Sequence, residues 1–249
     1  MMAALFFLGI ISISYQLEVF SLFLFMGLVI LLFVHKEKRF VISLLFSFLI
    51  GFVVFMISND FVGTMNIPKE IKIILNRLFL VFIMISIVIN HLFFHKKVSW
   101  YNRKPDWKNP IILSFHTVNT FWFWMIGIVV NVIIYVSFIV QKDIEYIQML
   151  LLFCIFFSFI NAVFEEVIWR GLLLSTLKEH TSTGYAVLVT SVGFGLLHLS
   201  IGFSLALSLF ISIAGVIYAI ITLKTNSIYP SIVFHIVINI GMVYSGFII

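Results

Sequence analysis

Two adjacent carboxylates, Glu165 and Glu166, lie within a long apolar run that begins near Ile147. Placing a charged side chain at membrane depth costs about 2.5 to 3.5 kcal/mol of insertion free energy, so an ionisable residue there indicates a functional role. Arg170 follows Glu166 at the i,i+4 spacing that brings opposite charges together along a helix. We therefore expect Arg170 to neutralise Glu166, which would then have a structural role.

Glu165 lies about 100° further round a helix of 3.6 residues per turn, so Arg170 cannot easily serve both carboxylates. This leaves Glu165 freer for chemistry, and a buried carboxylate can act as a general base or acid. The same three charged residues are also compatible with an ion-pair network that only fixes the register of a membrane helix. The residues that follow along the chain have to decide between these two interpretations.

Two histidines and an asparagine lie in the later apolar runs. His198 follows Phe194 by four residues, and Asn239 follows His235 by four, so each pair shares a helix face. A carboxylate and an imidazole can take a proton from water, while a second imidazole and an amide can donate hydrogen bonds to an oxyanion. The set fits hydrolysis of a peptide bond. Its carboxylate and imidazoles could instead ligate zinc, although the HExxH pattern of soluble zinc proteases is absent.

The composition is that of a polytopic membrane protein. Hydrophobic residues make up 63% of the 249 residues and charged residues only 10%, whereas about a quarter of the residues of a soluble domain are charged. The net charge of +5 comes from Lys and Arg in loops between apolar runs, which favours anchoring at a lipid bilayer over binding of nucleic acid. The single cysteine, Cys154, excludes intrachain disulfides and CxxC chemistry.

The apolar runs predict an all-α, polytopic membrane helical bundle with seven or eight transmembrane helices, in one integral membrane domain. Residues 1–15 are short for a span and form either a short first helix or the start of a long tilted one. Residues 68–77 could form an amphipathic helix in the interface. The basic loops 35–39 and 95–110 are both expected on the cytoplasmic side. The predicted spans are residues 19–34, 40–57, 78–94, 111–140, 147–177, 184–199, 201–223 and 231–249.

Three short patterns occur in order on successive predicted helices, and together they resemble the CPBP family, also called Abi, of CAAX proteases and bacteriocin-processing or bacteriocin-immunity proteins. The patterns are EExxxR at Glu165, Glu166 and Arg170, FxxxH at Phe194 and His198, and HxxxN at His235 and Asn239. The resemblance covers residues 147–249, as CPBP/Abi-like catalytic helices. Residues 1–146, which we interpret as N-terminal membrane helices and basic cytoplasmic loops, match the family only in being polytopic.

The resemblance implies an intramembrane endopeptidase of the glutamate type that cleaves a peptide or a membrane-associated protein. Glu165 and His198 would activate the water, and His235 and Asn239 would form the oxyanion hole. The remaining residues of the three patterns would support and orient Glu165. We expect no cofactor, because an asparagine is a poor zinc ligand but a good oxyanion donor.

Three alternatives stay open at this point. The first is a zinc-dependent version of the same protease, with Glu165, His198 and His235 as ligands. The second is a non-catalytic membrane scaffold or immunity protein that keeps the patterns as a structural network. The third is a proton-coupled transporter, which the lack of visible paired half-repeats with broken helices disfavours. The small size and the many Phe, Ile and Lys residues favour a multi-pass protein of a bacterial cell membrane acting on a secreted or signalling peptide.

Overall fold

The computed structural model of the chain describes residues 1–112 and 116–248, and within these ranges the architecture is almost entirely helical. Residues 113–115 of the predicted span 111–140 and residue 249 of the predicted span 231–249 lie outside the described residues. The helices are α1 Met2–Ser14, α2 Glu18–Val34, α3 Arg39–Gly63, α4 Lys69–Leu78, α5 Leu80–Phe93, α6 Thr120–Ile139, α7 Ile144–Glu166, α8 Ser175–His180, α9 Thr183–Leu197, α10 Leu205–Thr225 and α11 Tyr229–Tyr244.

Shorter elements join some of these helices. A π-helical segment, Val167–Leu174, connects α7 to α8, so that helical structure is continuous over Ile144–His180. Single turns of 3₁₀ helix occur at Lys36–Lys38, before α3, and at His198–Ile201, after α9. The strands β1 Ile111–Ile112 and β2 Thr117–Val118 pair in antiparallel fashion and precede α6.

The prediction of an all-α polytopic membrane bundle is confirmed. In the described part of the chain, six helical stretches are long and apolar enough to cross a bilayer, and three further apolar helices are shorter. The predicted number of spans, seven or eight, falls between two counts: the six long stretches alone, and the nine reached when the three shorter helices are added. The six long stretches are Lys36–Gly63, Lys69–Phe93, Thr120–Ile139, Ile144–His180, Thr183–Ile201 and Leu205–Thr225.

Two predicted segments have different limits in the structure. The span predicted to start at residue 111 starts as helix only at Thr120, because the Asn119 side chain accepts hydrogen bonds from the backbone N–H groups of Phe121 and Trp122 and caps α6. The amphipathic helix predicted over residues 68–77 is α4, and it runs on into α5 within the stretch Lys69–Phe93. Its last turn points inward, since Arg77 is buried.

Small residues allow α9 and α10 to approach closely beside the centre of the bundle. Gly195 of α9 faces Ser208 and Ser212 of α10, and Gly215 of α10 faces Ser191 of α9. Membrane helices commonly pack through small residues, since these let the backbones come together. This contact determines where the C-terminal end of α9, and therefore His198, lies relative to α10.

Replacing Gly195 by Ala is expected to destabilise the protein by about 1 to 3 kcal/mol, the usual range for overpacking. The added methyl group would overlap the Ser208 carbonyl and the Ser212 hydroxyl. Gly184→Ala, in the same helix, is the matched control, because its methyl group would meet nothing within 4 Å among the described atoms. Thermal unfolding in detergent compares the two, and equal midpoints would contradict the packing argument.

The basic loop 95–110 docks on the junction between α10 and α11. The Tyr101 carbonyl accepts a hydrogen bond from the Ile228 backbone N–H at 3.1 Å, and the Ser227 hydroxyl donates to the Arg103 carbonyl at 2.7 Å. Burial, with a smaller contribution from Glu179, raises the pKa of Tyr101 to about 12, so this phenol stays uncharged at neutral pH. The docking holds the start of α11, the helix that carries His235.

Candidate functional site

The two adjacent carboxylates lie at the end of α7, where the α-helix changes to the π-helical segment. Glu165, Glu166 and Arg170 are each 0% exposed. Stretches of π-helix are rare and are frequent at functional sites, because the wider turn changes the direction of the side chains. The change of helix type was not visible in the sequence.

Glu166 and Arg170 form the ion pair predicted from their spacing. The distance from Arg170 Nη1 to Glu166 Oε1 is 3.0 Å, and Arg170 Nη2 donates a 2.8 Å hydrogen bond to the Gly215 carbonyl of α10. The guanidinium also lies over the rings of Phe194 and Tyr218, 4.7 and 5.0 Å from their centroids. Arg170 therefore joins the end of α7 to α9 and α10, and its pairing with Glu166 is confirmed.

Glu165 has a cationic partner of its own, contrary to the expectation that it would be freer. Arg77 Nη1, from the last turn of α4, lies 3.3 Å from Glu165 Oε1, and Arg77 is only 7% exposed. Arg77 is not among the site residues predicted from the sequence, because Arg77 and Glu165 are 88 positions apart and meet only through the packing of α4 on α7. A signal was present, since Arg77 directly precedes a predicted span and one buried carboxylate still lacked a cation.

His235 of α11 bridges the two carboxylates. Its Nδ1 lies 3.1 Å from Glu166 Oε1, and its Nε2 lies 3.6 Å from Glu165 Oε2. Because an ionised carboxylate only accepts, the shorter contact is a hydrogen bond from Nδ1–H to Glu166. The Tyr218 ring stacks on the imidazole, with centroids 5.0 Å apart and planes 20° from parallel. The ring is thus oriented with Nε2 toward Glu165.

His198 and Phe194 lie on the other side of the same cluster. His198 Nδ1 donates to the Phe194 carbonyl at 3.0 Å, which in the neutral imidazole leaves Nε2 as the acceptor nitrogen. The Phe194 ring contacts both imidazoles, with its centroid 5.2 Å from that of His198 and 5.8 Å from that of His235. Within the described residues, no carboxylate forms an ion pair with His198.

Asn239 lies one helical turn beyond His235 on α11 and contacts α7. Its side-chain Nδ2 is 3.4 Å from the Ser158 carbonyl, and the residue is 3% exposed. Ser158 precedes Glu165 by seven residues, which is about 10 Å along a helix axis. The structure therefore brings six of the seven predicted residues into one cluster and places Asn239 at its edge, toward the start of α7.

The zinc alternative requires Glu165, His198 and His235 to converge on one point. Tetrahedral zinc sites in proteins are built from three or four such donors at about 2.0 to 2.2 Å from the metal. Across residues 1–112 and 116–248, no group of three or more His, Cys, Asp or Glu side chains has the proximity needed to hold a metal ion. Whether these residues use zinc is decided by the effect of a chelator on cleavage.

Comparison with known proteins gives one match. Residues 147–241 match the family model described as type II CAAX prenyl endopeptidase Rce1-like. No curated protein and no solved structure matches the chain significantly. The matched segment contains all three patterns, from Glu165 to Asn239, and excludes Arg77. The match confirms, over residues 147–241, the resemblance to the CAAX protease family that the three patterns indicated.

Proposed function

We propose that this protein is an intramembrane endopeptidase of the glutamate type that cleaves peptides or membrane-associated proteins. The observation that carries the proposal is the bridge that His235 makes between Glu165 and Glu166, two fully buried carboxylates on another helix. A buried network of this kind is expensive in a membrane and is typically functional. The family match over the same residues supports the reaction class.

In the proposed mechanism, Glu165 is the general base. Its Oε1 is held by Arg77, while Oε2 faces His235 and has no hydrogen-bond partner among the described residues. Oε2 would take a proton from water, and the hydroxyl oxygen would form a bond to the carbonyl carbon of the substrate. His198, whose Nε2 is an acceptor in the neutral ring, would help to hold that water.

The tetrahedral intermediate carries a negative charge on the former carbonyl oxygen. His235 can donate a hydrogen bond to it from Nε2 when the ring carries both protons, because Nδ1–H is already held by Glu166. The Asn239 amide is the second proposed donor. As the intermediate collapses, the C–N bond breaks and the proton taken by Glu165 passes to the leaving amine nitrogen. Arg77 and Arg170 balance the two carboxylates throughout.

The family match supports a proposal for the substrate class. A CAAX sequence ends in a cysteine, two aliphatic residues and a variable residue, and the cysteine carries a prenyl group. We propose that the chain cleaves after such a lipid-modified cysteine at a substrate C-terminus. Many large apolar side chains are exposed on α2, α6 and α7, as expected for surfaces that face lipid, and a prenylated peptide would reach the site from the bilayer.

The test is cleavage of a peptide by the purified protein in liposomes. One probe ends in S-farnesyl-Cys-Val-Ile-Met and the second is the same peptide without the farnesyl group. We expect release of the C-terminal fragment from the farnesylated probe, unaffected by a strong chelator such as 1,10-phenanthroline. Mass spectrometry of the products measures both results.

Loss of cleavage on chelation, with recovery on adding zinc, would establish the zinc-dependent alternative instead. Cleavage of neither probe by folded protein would favour the non-catalytic scaffold. Equal cleavage of both probes would retain the endopeptidase and remove the requirement for a prenyl group.

A further inference from the structure

A cavity of about 480 Å³ lies beside the candidate site. Most of the residues that line it are outside the segment 147–241 that matches the family. It is bounded by the end of α3, by α4, by the turn after α9 and by residues 247–248. Pockets that bind small molecules usually have volumes of about 300 to 1,000 Å³. The cavity is therefore large enough for a short piece of peptide.

One wall of the cavity is basic. Lys69, Lys72 and Arg77 line it from successive turns of α4, and the amides of Asn59 and Asn76 lie among them. No Asp or Glu is among the described residues that line the cavity. Arg77 is paired with Glu165, but neither lysine forms an ion pair within the described part of the chain; Lys72 Nζ donates one hydrogen bond, to the Gly63 carbonyl at 2.9 Å, which leaves its charge unneutralised. The two ammonium groups therefore give this wall a net positive charge.

Buried donors on this wall also lack partners. Within residues 1–112 and 116–248, neither Arg77 Nε nor Asn59 Nδ2 has a hydrogen-bond acceptor, and Arg77 is more than nine-tenths buried. Leaving a buried donor unsatisfied is unfavourable, so such groups usually face a ligand or a solvent acceptor. Unpaired N–H donors with two ammonium groups are the chemistry that recognises a carboxylate.

The opposite wall is apolar and leads to the candidate site. It is formed by side chains such as Phe157, Ile201 and Phe203. The Phe203 ring lies 5.9 Å from the His198 ring, and its backbone N–H donates to the His198 carbonyl at 3.3 Å. Arg77, on the basic wall, contacts Glu165. The inner end of the cavity therefore adjoins the carboxylate and the imidazole that we propose activate water.

We propose that this cavity binds the C-terminal carboxylate of the substrate, with Lys69 and Lys72 as its recognition residues and the apolar wall holding the last side chains. The inference rests on the proposed function. Lys72 and Lys69 precede Arg77 by five and eight residues, or about 7.5 and 12 Å along α4. An extended peptide covers such distances with about two to four residues. This spacing agrees with the three residues that follow the cysteine in a CAAX sequence.

The test compares two forms of the farnesylated probe, one with a free C-terminal carboxylate and one with a C-terminal amide. The protein variants are wild type, the double variant K69Q/K72Q, and Lys38→Gln as a matched control. Lys38 is exposed and lies next to the opposite end of α3, about 37 Å from the cavity for a helix of 25 residues. Liposomes with and without anionic lipid are used for every pair.

For wild type and Lys38→Gln, we expect kcat/KM to be at least about tenfold higher for the free acid than for the amide, mainly through a lower KM. The amide probe lacks the carboxylate and so cannot make the charge-assisted contact with the lysines. For K69Q/K72Q, we expect the two probes to differ by less than about twofold. Binding of fluorescein-labelled acid and amide probes, measured by anisotropy, should show the same preference and the same loss.

Equal rates for acid and amide with wild type would overturn the inference while leaving the endopeptidase intact, as would a preference for the acid that persists in K69Q/K72Q. If K69Q/K72Q lost kcat/KM equally for both probes, and only in liposomes with anionic lipid, the two lysines would bind lipid headgroups. That result would also overturn the inference. A binding preference for the acid without cleavage would support the cavity's role and refute the proposed reaction instead.

Discussion

Replacing Glu165 by Gln is expected to lower kcat/KM for the farnesylated probe by about 10²- to 10⁴-fold, the usual contribution of general acid–base catalysis. The amide cannot accept a proton from water. Its carbonyl oxygen can still accept the hydrogen bond that Arg77 Nη1 makes at 3.3 Å, so the local packing is largely retained. Single-turnover cleavage in liposomes measures the loss at the chemical step.

The control for this variant is Glu145→Gln. Glu145 lies in the first turn of the same helix, α7, and is exposed. The Glu145→Gln variant should therefore cleave the probe at the wild-type rate. Thermal unfolding of both variants separates a lost base from a lost fold. Activity close to wild type in folded Glu165→Gln would refute the general-base role and favour the structural network of charges.

Replacing Arg170 by Met is expected to lower the free energy of unfolding by about 3 to 5 kcal/mol, the range found when one partner of a buried ion pair is removed. Glu166 would be left buried without its cation, and the Gly215 carbonyl would lose its 2.8 Å hydrogen bond. The rings of Phe194 and Tyr218 would also lose the guanidinium between them. Unfolding by titration with a denaturing detergent, followed by circular dichroism, measures the change.

A second variant makes the cause of that loss testable. Removing the charge of Glu166 as well, in E166Q/R170M, should recover part of the stability, because the double variant no longer buries an unpaired carboxylate. Lys178→Met, at an exposed position in α8, should leave the unfolding transition unchanged. If E166Q/R170M were no more stable than Arg170→Met, the ion pair would not be the source of the stability.

Interactions between near neighbours along the chain could be predicted from the sequence. The Glu166–Arg170 pair follows from helical spacing, and the long helical stretch Ile144–His180 follows from an apolar run that ends at charged residues. The amphipathic helix α4 was predicted in the same way, and Met2–Ser14 is the shorter of the two alternatives left open for residues 1–15. In each case the contacts lie within one or two helical turns, where the 3.6-residue period is sufficient.

The environment of Glu165 could not be predicted in this way. Its cation, Arg77, comes from α4 and its imidazole, His235, from α11, at sequence separations that helical periodicity does not address. The sequence also did not show that His235 would contact both carboxylates, or that Asn239 would lie against the Ser158 carbonyl. Helical spacing also gives no sign of the change to π-helix after Glu166.

Composition, local spacing and motif order suffice to identify an all-helical, multi-pass membrane protein whose Glu, His and Arg residues follow the patterns of the CAAX proteases. Which of these groups touch depends on how the helices pack. Helices in a bilayer have no hydrophobic force to fix their pairing, so small residues and polar contacts between distant helices select the neighbours. The contact of Arg77 with Glu165, and the basic cavity beside it, arise from that selection.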